Sequence, residues 1–225
     1  MSADLRKRLS TFVAGRRRFS LSCAIDVPWC SGRILFPIVT SFGSTSVRPL
    51  AIADVDEYLR HVQEVDADSG VDGAGHSHAY SESEPFDMEA GRAREVTRWS
   101  TDIEDLGWRR AWGLFDKGEL VGHLHLAGGL LRSELHRADM GMGITGSHRR
   151  QGGGTVLLEG GIEWAREQPS IVWIDLGVFS DNPGAQSLYA RHGFQVLGRT
   201  PDRFRVDGQS LDDISMTLNV ARDKE

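Results

Sequence analysis

The chain has 225 residues, 40% of them hydrophobic, which suffices for one domain with a full core and hardly for two. Its net charge of −6 argues against non-specific nucleic-acid binding as the main activity, and no apolar run approaches the ~20 residues of a membrane span. Two cysteines, Cys23 and Cys30, make no metal or disulfide framework, so no bound metal is expected and a reducing cytoplasm is the default setting.

In chain order, residues 1–44 are basic at the start (Arg6, Lys7, Arg8, Arg16, Arg17, Arg18) and rich in serine. They read as an extension outside the folded domain. A transit peptide would carry the same arginine-rich, acid-poor composition, whereas a secretory signal would need a longer apolar core after the first charges. The pattern becomes readable at Thr45–Arg48, a strand, followed by a helix over Ile52–Val65, a polar loop over 66–90 and a helix over Glu89–Asp105. Arg110–Phe115 and Glu119–Leu126 form a hairpin around Asp116-Lys117-Gly118, with glycine where positive φ is cheap. Arg137–Ile144 is a strand. Thr155–Arg166 is a helix with Leu157, Gly161 and Trp164 on one stripe, and Ile171–Val178 is a central, apolar strand. A short helix over Ala185–His192 and strands at Phe194–Thr200 and Leu211–Leu218 complete the order β-α-α-β-β-β-α-β-α-β-β. The expected domain is 45–219, with 220–225 as a tail.

Two motifs carry the chemistry. His148-Arg149-Arg150-Gln151-Gly152-Gly153-Gly154-Thr155 is a basic, glycine-rich turn between a strand and a helix. Glycines let the backbone approach a phosphate, the first helical N–H groups point at it, and the helix dipole favours its charge by ~0.3–1 kcal/mol. No Gly-Lys-Ser/Thr closes the run, which excludes a nucleotide triphosphatase loop, and the turn comes too late for a dinucleotide fold, where Asp175 would be the acidic partner. Some thirty residues on, Asp181-Asn182-Pro183-Gly184 is a turn that opens the short helix, and Gly193 closes it.

The spacings Arg149-x-x-Gly152-x-Gly154 and Asn182-x-x-Ala185-x-x-Leu188-Tyr189-x-x-x-Gly193-Phe194 resemble, in that order, those of the GCN5-related N-acetyltransferase (GNAT) superfamily. The resemblance covers about residues 45–219. It implies an α/β fold with a mixed, mostly antiparallel central sheet flanked by helices on both faces. It also implies acetyl-CoA as acyl donor, with the pantetheine arm paired to the backbone of Met142, Gly143 and Ile144. The pyrophosphate would sit on Arg149, Arg150, Gln151, Gly152, Gly153, Gly154 and Thr155. Asn182 would bond the pantetheine or cap its helix. Tyr189 would serve as general acid, or as hydrogen-bond donor to the departing thiolate, because a phenol of pKa ~10 is a weak acid toward a thiol of ~8.5. Asp139 holds the strand position where some members carry a glutamate base; being one methylene shorter, it would need a bridging water. The sequence departs from the family at Gly153, where an aliphatic residue is common, and at Gly160-Gly161, where each interior glycine costs ~1 kcal/mol relative to alanine.

The expected acceptor is a small-molecule amine, with a protein amine as alternative and a non-catalytic CoA-binding sensor as a second alternative; nucleic acid and membrane are not expected partners. The protein would be a monomer or a homodimer. Between His61 and Gly91 there is no lysine or arginine, while Glu64, Asp66, Asp68, Asp72, Glu82, Glu84, Asp87 and Glu89 are acidic. An acidic lip of this kind suits a cationic acceptor, and a solvated loop would carry the same composition. His76 and His78 are too few for a metal site, and His123 and His125 alternate onto one face of a hairpin strand.

Overall fold

The computed structural model describes residues 40–42, 44–71, 75–79 and 86–221. The basic run from Arg6 to Arg18, both cysteines, and Asp72, Glu82 and Glu84 lie outside the described residues. Strands β1 (Thr40–Phe42) and β2 (Thr45–Pro49) lead into helices α1 (Val55–Ala67) and α2 (Met88–Ser100). Then come β3 (Arg109–Asp116), β4 (Glu119–Gly128), β5 (Arg137–Ile144), α3 (Gly153–Glu167), β6 (Trp173–Phe179), α4 (Pro183–Arg191), β7 (Gln195–Val206) and β8 (Gln209–Asn219). The eight strands form one sheet in the order β1-β2-β3-β4-β5-β6-β8-β7. All neighbours are antiparallel except β5 and β6, which α3 joins as a crossover. The seven expected strands are all present, and β1 adds an eighth at the edge, ahead of the boundary expected at Thr45.

Alternation along the strands divides the apolar residues between two faces. Trp112, Leu114, Leu124 and Leu126 pack with α3 and α4 on one side. Ala111 and Phe115 pack with Val55, Tyr58 and Leu59 of α1 and Trp99 of α2 on the other. The β3–β4 turn holds Lys117 at φ 50° and Gly118 at φ 91°, the two positive values that a tight right-twisted hairpin needs. α2 stops at Ser100, short of the Asp105 expected from sequence. There Asp102 accepts from the backbone N–H of Glu104 at 2.9 Å, a local turn that competes with the helix, and the buried Arg110 takes up the carbonyl of Thr101 at 2.8 Å. β7 runs beyond the expected Thr200 to Val206 because the register with β8 shifts between Thr200 and Phe204, with Asp202 at φ 50°. At the other end Val220 is buried and bonds Val172 at 2.9 Å, so packing extends one residue into the expected tail.

Candidate active site

β5 is the axis of the site. It pairs with β6 only over Arg137–Asp139, against Trp173–Asp175, then continues to Ile144 beside β4 alone. The edge of β5 that faces β6 over Met140–Ile144 is therefore open to an extended ligand that pairs with it as an added strand. Beyond Ile144 a short turn, Gly146–His148, is braced from α1, where Asp68 accepts from the Gly146 N–H at 2.7 Å. Arg149 donates Nε to the Ile144 carbonyl at 2.9 Å, and Arg150 (φ 62°) and Gly152 (φ 90°) swing the chain into α3. Gly153 and Gly154 open α3 at the end of this turn, where free N–H groups of a helix start suit an anion, while Thr155 N–H donates to the Gly152 carbonyl at 3.1 Å. Gly153 is buried, and Leu114 occupies the place its Cβ would take. The aliphatic group missing at this position is thus supplied from the sheet. A Cβ on Gly154 would stand 3.3 Å from Leu188 of α4 and 3.4 Å from Ile144, so loop, strand end and α4 converge at the mouth of the opening.

Segment 75–79 crosses that mouth as a strap. Asn182 caps α4 by accepting from the Ala185 N–H at 3.1 Å, and its Nδ2 donates to the His76 carbonyl at 3.2 Å. Asp181 lies 2.7 Å from His76 Nδ1. On the other side Ser77 N–H donates to Ser69 Oγ at 2.9 Å, and His78 Nε2 is 2.7 Å from the Asp66 carbonyl at the end of α1. The bent β7–β8 hairpin closes over the same region: Phe204 packs on Phe179, 5.4 Å between centroids, and Phe179 on His76, 6.2 Å.

Behind the strap lies a cleft of about 1020 Å³. Gly141, Met142 and Gly143 of β5 line it together with His123 and His125 of β4. The two imidazoles stack in parallel, 6.1 Å apart, and lie across the bare β5 backbone. A Cβ on Gly141 would stand 2.7 Å from His125 Nε2, and one on Gly143 2.8 Å from His123 Cε1. Tyr58 Oη is 3.4 Å from His125 Nδ1. Next to Tyr58, Arg109 reaches both oxygens of Glu95 at 2.9 Å, and Glu95, its side chain 1% exposed, also accepts from Trp99 Nε1 at 3.2 Å. Burial governs ionisation here. It pushes Tyr58 up to about 12, His61 down to about 4 and His123 down to about 3, and it holds His125 well below the ordinary imidazole range, with the Arg109 charge adding to the effect. All three histidines are neutral at physiological pH.

The family model described as the Acetyltransferase (GNAT) family matches residues 77–194. This chain belongs to the GNAT acetyltransferase family. Among solved structures, yncA from Salmonella typhimurium, solved with its cofactor acetyl-CoA, has a TM-score of 0.67 at 17% identity, over 81% of this chain and 98% of that one. A GNAT-family acetyltransferase from Streptococcus pneumoniae gives 0.65 at 19% identity, over 78% and 99%. A ribosomal-protein-alanine N-acetyltransferase from Brucella melitensis gives 0.64 at 19%, over 77% and 98%. No curated protein sequence matches the chain. GNAT enzymes take acetyl-CoA as donor, and the open β5 edge and the α3 N-terminus suit its pantetheine and pyrophosphate.

Of the GNAT site residues expected from sequence, Met142 and Gly143 line the cleft, while Ile144 and 149–155 lie outside its lining, at the end of β5 and the start of α3. Asn182 spends both side-chain atoms on the α4 cap and the strap. Tyr189 is buried against Phe194 in the α3-side core, and burial pushes its pKa up to about 12. Asp139 is solvent-exposed and is not among the cleft-lining residues. Partial desolvation and the neighbouring Asp175 and Glu134 carboxylates raise its pKa. Asp66 and Asp87 border the cleft as an acidic lip would, but Asp68 is spent on the loop, and Arg94, Arg98 and Arg109 line the cleft as well. Sequence reasoning missed Tyr58, Glu95 and Arg109 altogether. The only available signal was the alternation of His123 and His125 opposite glycines at 141 and 143.

Proposed function

We propose that the protein transfers the acetyl group of acetyl-CoA to the primary amine of a small molecule, by direct attack in a ternary complex. One observation carries the reading: Gly141–Gly143 line the cleft and belong to the same part of β5 whose other edge lacks a β6 partner. Donor and acceptor would therefore meet across a single strand. A small acceptor is favoured because the strap and the β7–β8 tip, at Val206 and Asp207, border a cleft of about 1020 Å³, the size of a small-molecule site rather than a peptide groove. The catalytic unit in this reading is residues 45–219.

Acetyl-CoA supplies an activated thioester. The N–H groups of Gly152, Gly153 and Gly154 and the charge of Arg150 hold its pyrophosphate, and the Met142–Ile144 backbone pairs with its arm. His125 takes the proton lost by the attacking amine. With Nδ1–H donated to Tyr58 Oη, its Nε2 carries a lone pair on the Gly141 side, and depressed basicity keeps that lone pair available at physiological pH. So weak a base cannot strip an ammonium of pKa ~10.4, so the amine arrives neutral and the imidazole acts once the N–C bond forms. Asp139 serves at most as a distant relay. Tyr189 donates a hydrogen bond toward the sulfur. The deciding experiment is a screen of amines and N-terminal peptides with acetyl-CoA, read as free CoA released. Turnover of small amines supports the reading, turnover of peptides alone moves it to a protein acceptor, and tight acetyl-CoA binding with no turnover would make the protein a sensor.

A further inference from the structure

The charges around the cleft are not evenly spread. α1 and α2 are joined by Asp56 bonded to Arg92 at 2.9 Å and by Tyr58 packed on Trp99 at 5.3 Å. Asp66 and Asp87 line the cleft from the last turn of α1 and the N-cap of α2, while Arg94, Arg98 and Arg109 line it around the C-terminal half of α2, Arg98 lying eleven residues or roughly 16 Å along the helix from Asp87. There Glu95 is the one carboxylate in ion pairs with these arginines among the described residues, shared by Arg109 at 2.9 Å and Arg94 at 3.3 Å. Arg98 donates Nε to the Gly107 carbonyl at 3.1 Å and joins no ion pair among the described residues. Arg109 Nε is buried without a hydrogen-bond partner among the described residues. Asp139 feels the Arg98 charge but makes no ion pair with it. Two guanidinium groups thus share one buried carboxylate and a third stands beside them without one, an excess of positive charge in a partly desolvated place.

These arginines stand far from the pyrophosphate turn. Arg109 is level with Ala127 and Asp139 in the sheet register, and Asp139 is five residues, about 17 Å, from Ile144, where the turn begins. They are close to the reaction centre instead. The next row on the same face holds Ala111, His125 and Gly141, about 7 Å along the strands.

We infer that the acceptor carries an anionic group, in the simplest case a carboxylate, which binds Arg98 and Arg109 in this part of the cleft while its amine lies beside Gly141 and His125. The inference rests on the transferase reading for the role of the amine, and on the arginines alone for the anion. It replaces the cationic acceptor expected from the acidic 64–89 run by an amino acid or a related amine-bearing acid. Planar guanidinium groups hold a carboxylate through paired, charge-assisted hydrogen bonds, and the bound anion offsets the like-charge repulsion among the three.

The test compares β-alanine and γ-aminobutyrate with their carboxamides and with spermidine. Turnover with acetyl-CoA is measured, and so is the Tm shift in the presence of CoA. The acids should exceed their amides at least tenfold in kcat/KM. Arg98→Gln should raise KM for the acids tenfold or more and cut the acid-to-amide ratio to below threefold, with Arg98→Lys restoring part of it. If Arg98→Gln shows no cooperative thermal unfolding, Arg98→Lys is read instead, and should raise KM for the acids and lower the acid-to-amide ratio by a smaller factor in the same direction. Amides or spermidine used as well as the acids would overturn the anion site while leaving the transferase intact. If nothing is acetylated, the transferase reading falls, and the Tm shifts decide separately. Stabilisation by acids over amides that Arg98→Gln removes upholds the site; equal shifts, or none, overturn it.

Discussion

Tyr189 and His125 divide the proposed proton chemistry, and burial sets what each can do. With its pKa pushed up to about 12, full proton transfer from Tyr189 to a thiolate whose acid has pKa ~8.5 is uphill by about 5 kcal/mol. The phenol is therefore suited to donating a hydrogen bond to the leaving sulfur, a charge-assisted bond worth roughly 1.5–3 kcal/mol. Tyr189→Phe should lower kcat by about ten- to a hundredfold and leave the acetyl-CoA Kd within about twofold, as calorimetry and single-turnover kinetics would read. Equal turnover with chemistry rate-limiting would return Tyr189 to packing alone. For the base, His125→Gln should cost at least about tenfold in kcat and Asp139→Asn less than about threefold, the scale of general-base loss against that of a remote charge. The reverse order would make the exposed Asp139 the base after all.

Helix α3 carries an adjacent glycine pair in its interior, Gly160 and Gly161, and the structure gives the two opposite meanings. A Cβ on Gly161 would stand 2.8 Å from Leu124 Cδ2, so its absence lets the helix settle on a fully buried leucine, whose burial is worth roughly 1.5–3 kcal/mol against ~1 kcal/mol for the glycine. Gly160 has nothing among the described residues within 4 Å of such a Cβ, and no contact among them explains it. Gly160→Ala should raise Tm by about 2–4 °C, whereas Gly161→Ala should lower it, in thermal unfolding followed by circular dichroism. This element also shows what the sequence made legible. Period and punctuation placed β5 at its observed ends and α3 within two residues at its start, because a buried stripe and a glycine-rich turn are local features. The ends of α2 and β7 were not legible, since they depend on the side chain of Asp102 and on a bulge at Pro201–Arg203. The cleft was least legible of all. Tyr58, Glu95, Arg109 and His125 come from two helices and two strands, and no spacing along the chain records that they meet.

Across the whole molecule, that cluster of neutral histidines ties stability to pH. His61 is pushed down to about 4 and His123 to about 3, chiefly by burial, while an unfolded imidazole titrates near ~6.5. Below pH ~6.5 the unfolded chain therefore binds protons that the folded one refuses, so stability falls as pH falls, by about 1.4 kcal/mol per pH unit for each histidine, until the folded pKa is reached. His125, also held low, adds in the same direction. Asp66 and Asp139, whose pKa values are raised, oppose the loss, because the folded state takes up their protons first; that effect is confined to lower pH, toward the carboxylate range. The window from pH 6.5 to about 5 thus belongs to the histidines. Denaturant unfolding across it should show a loss of at least about 2 kcal/mol per pH unit, a large share of the 5–15 kcal/mol typical of a domain. His61→Leu, at a buried position, should reduce the slope by about one proton's worth. A slope that is flat in the wild type, or the same in both proteins, would mean that the imidazoles protonate without unfolding, and that the cleft opens to water before the core gives way.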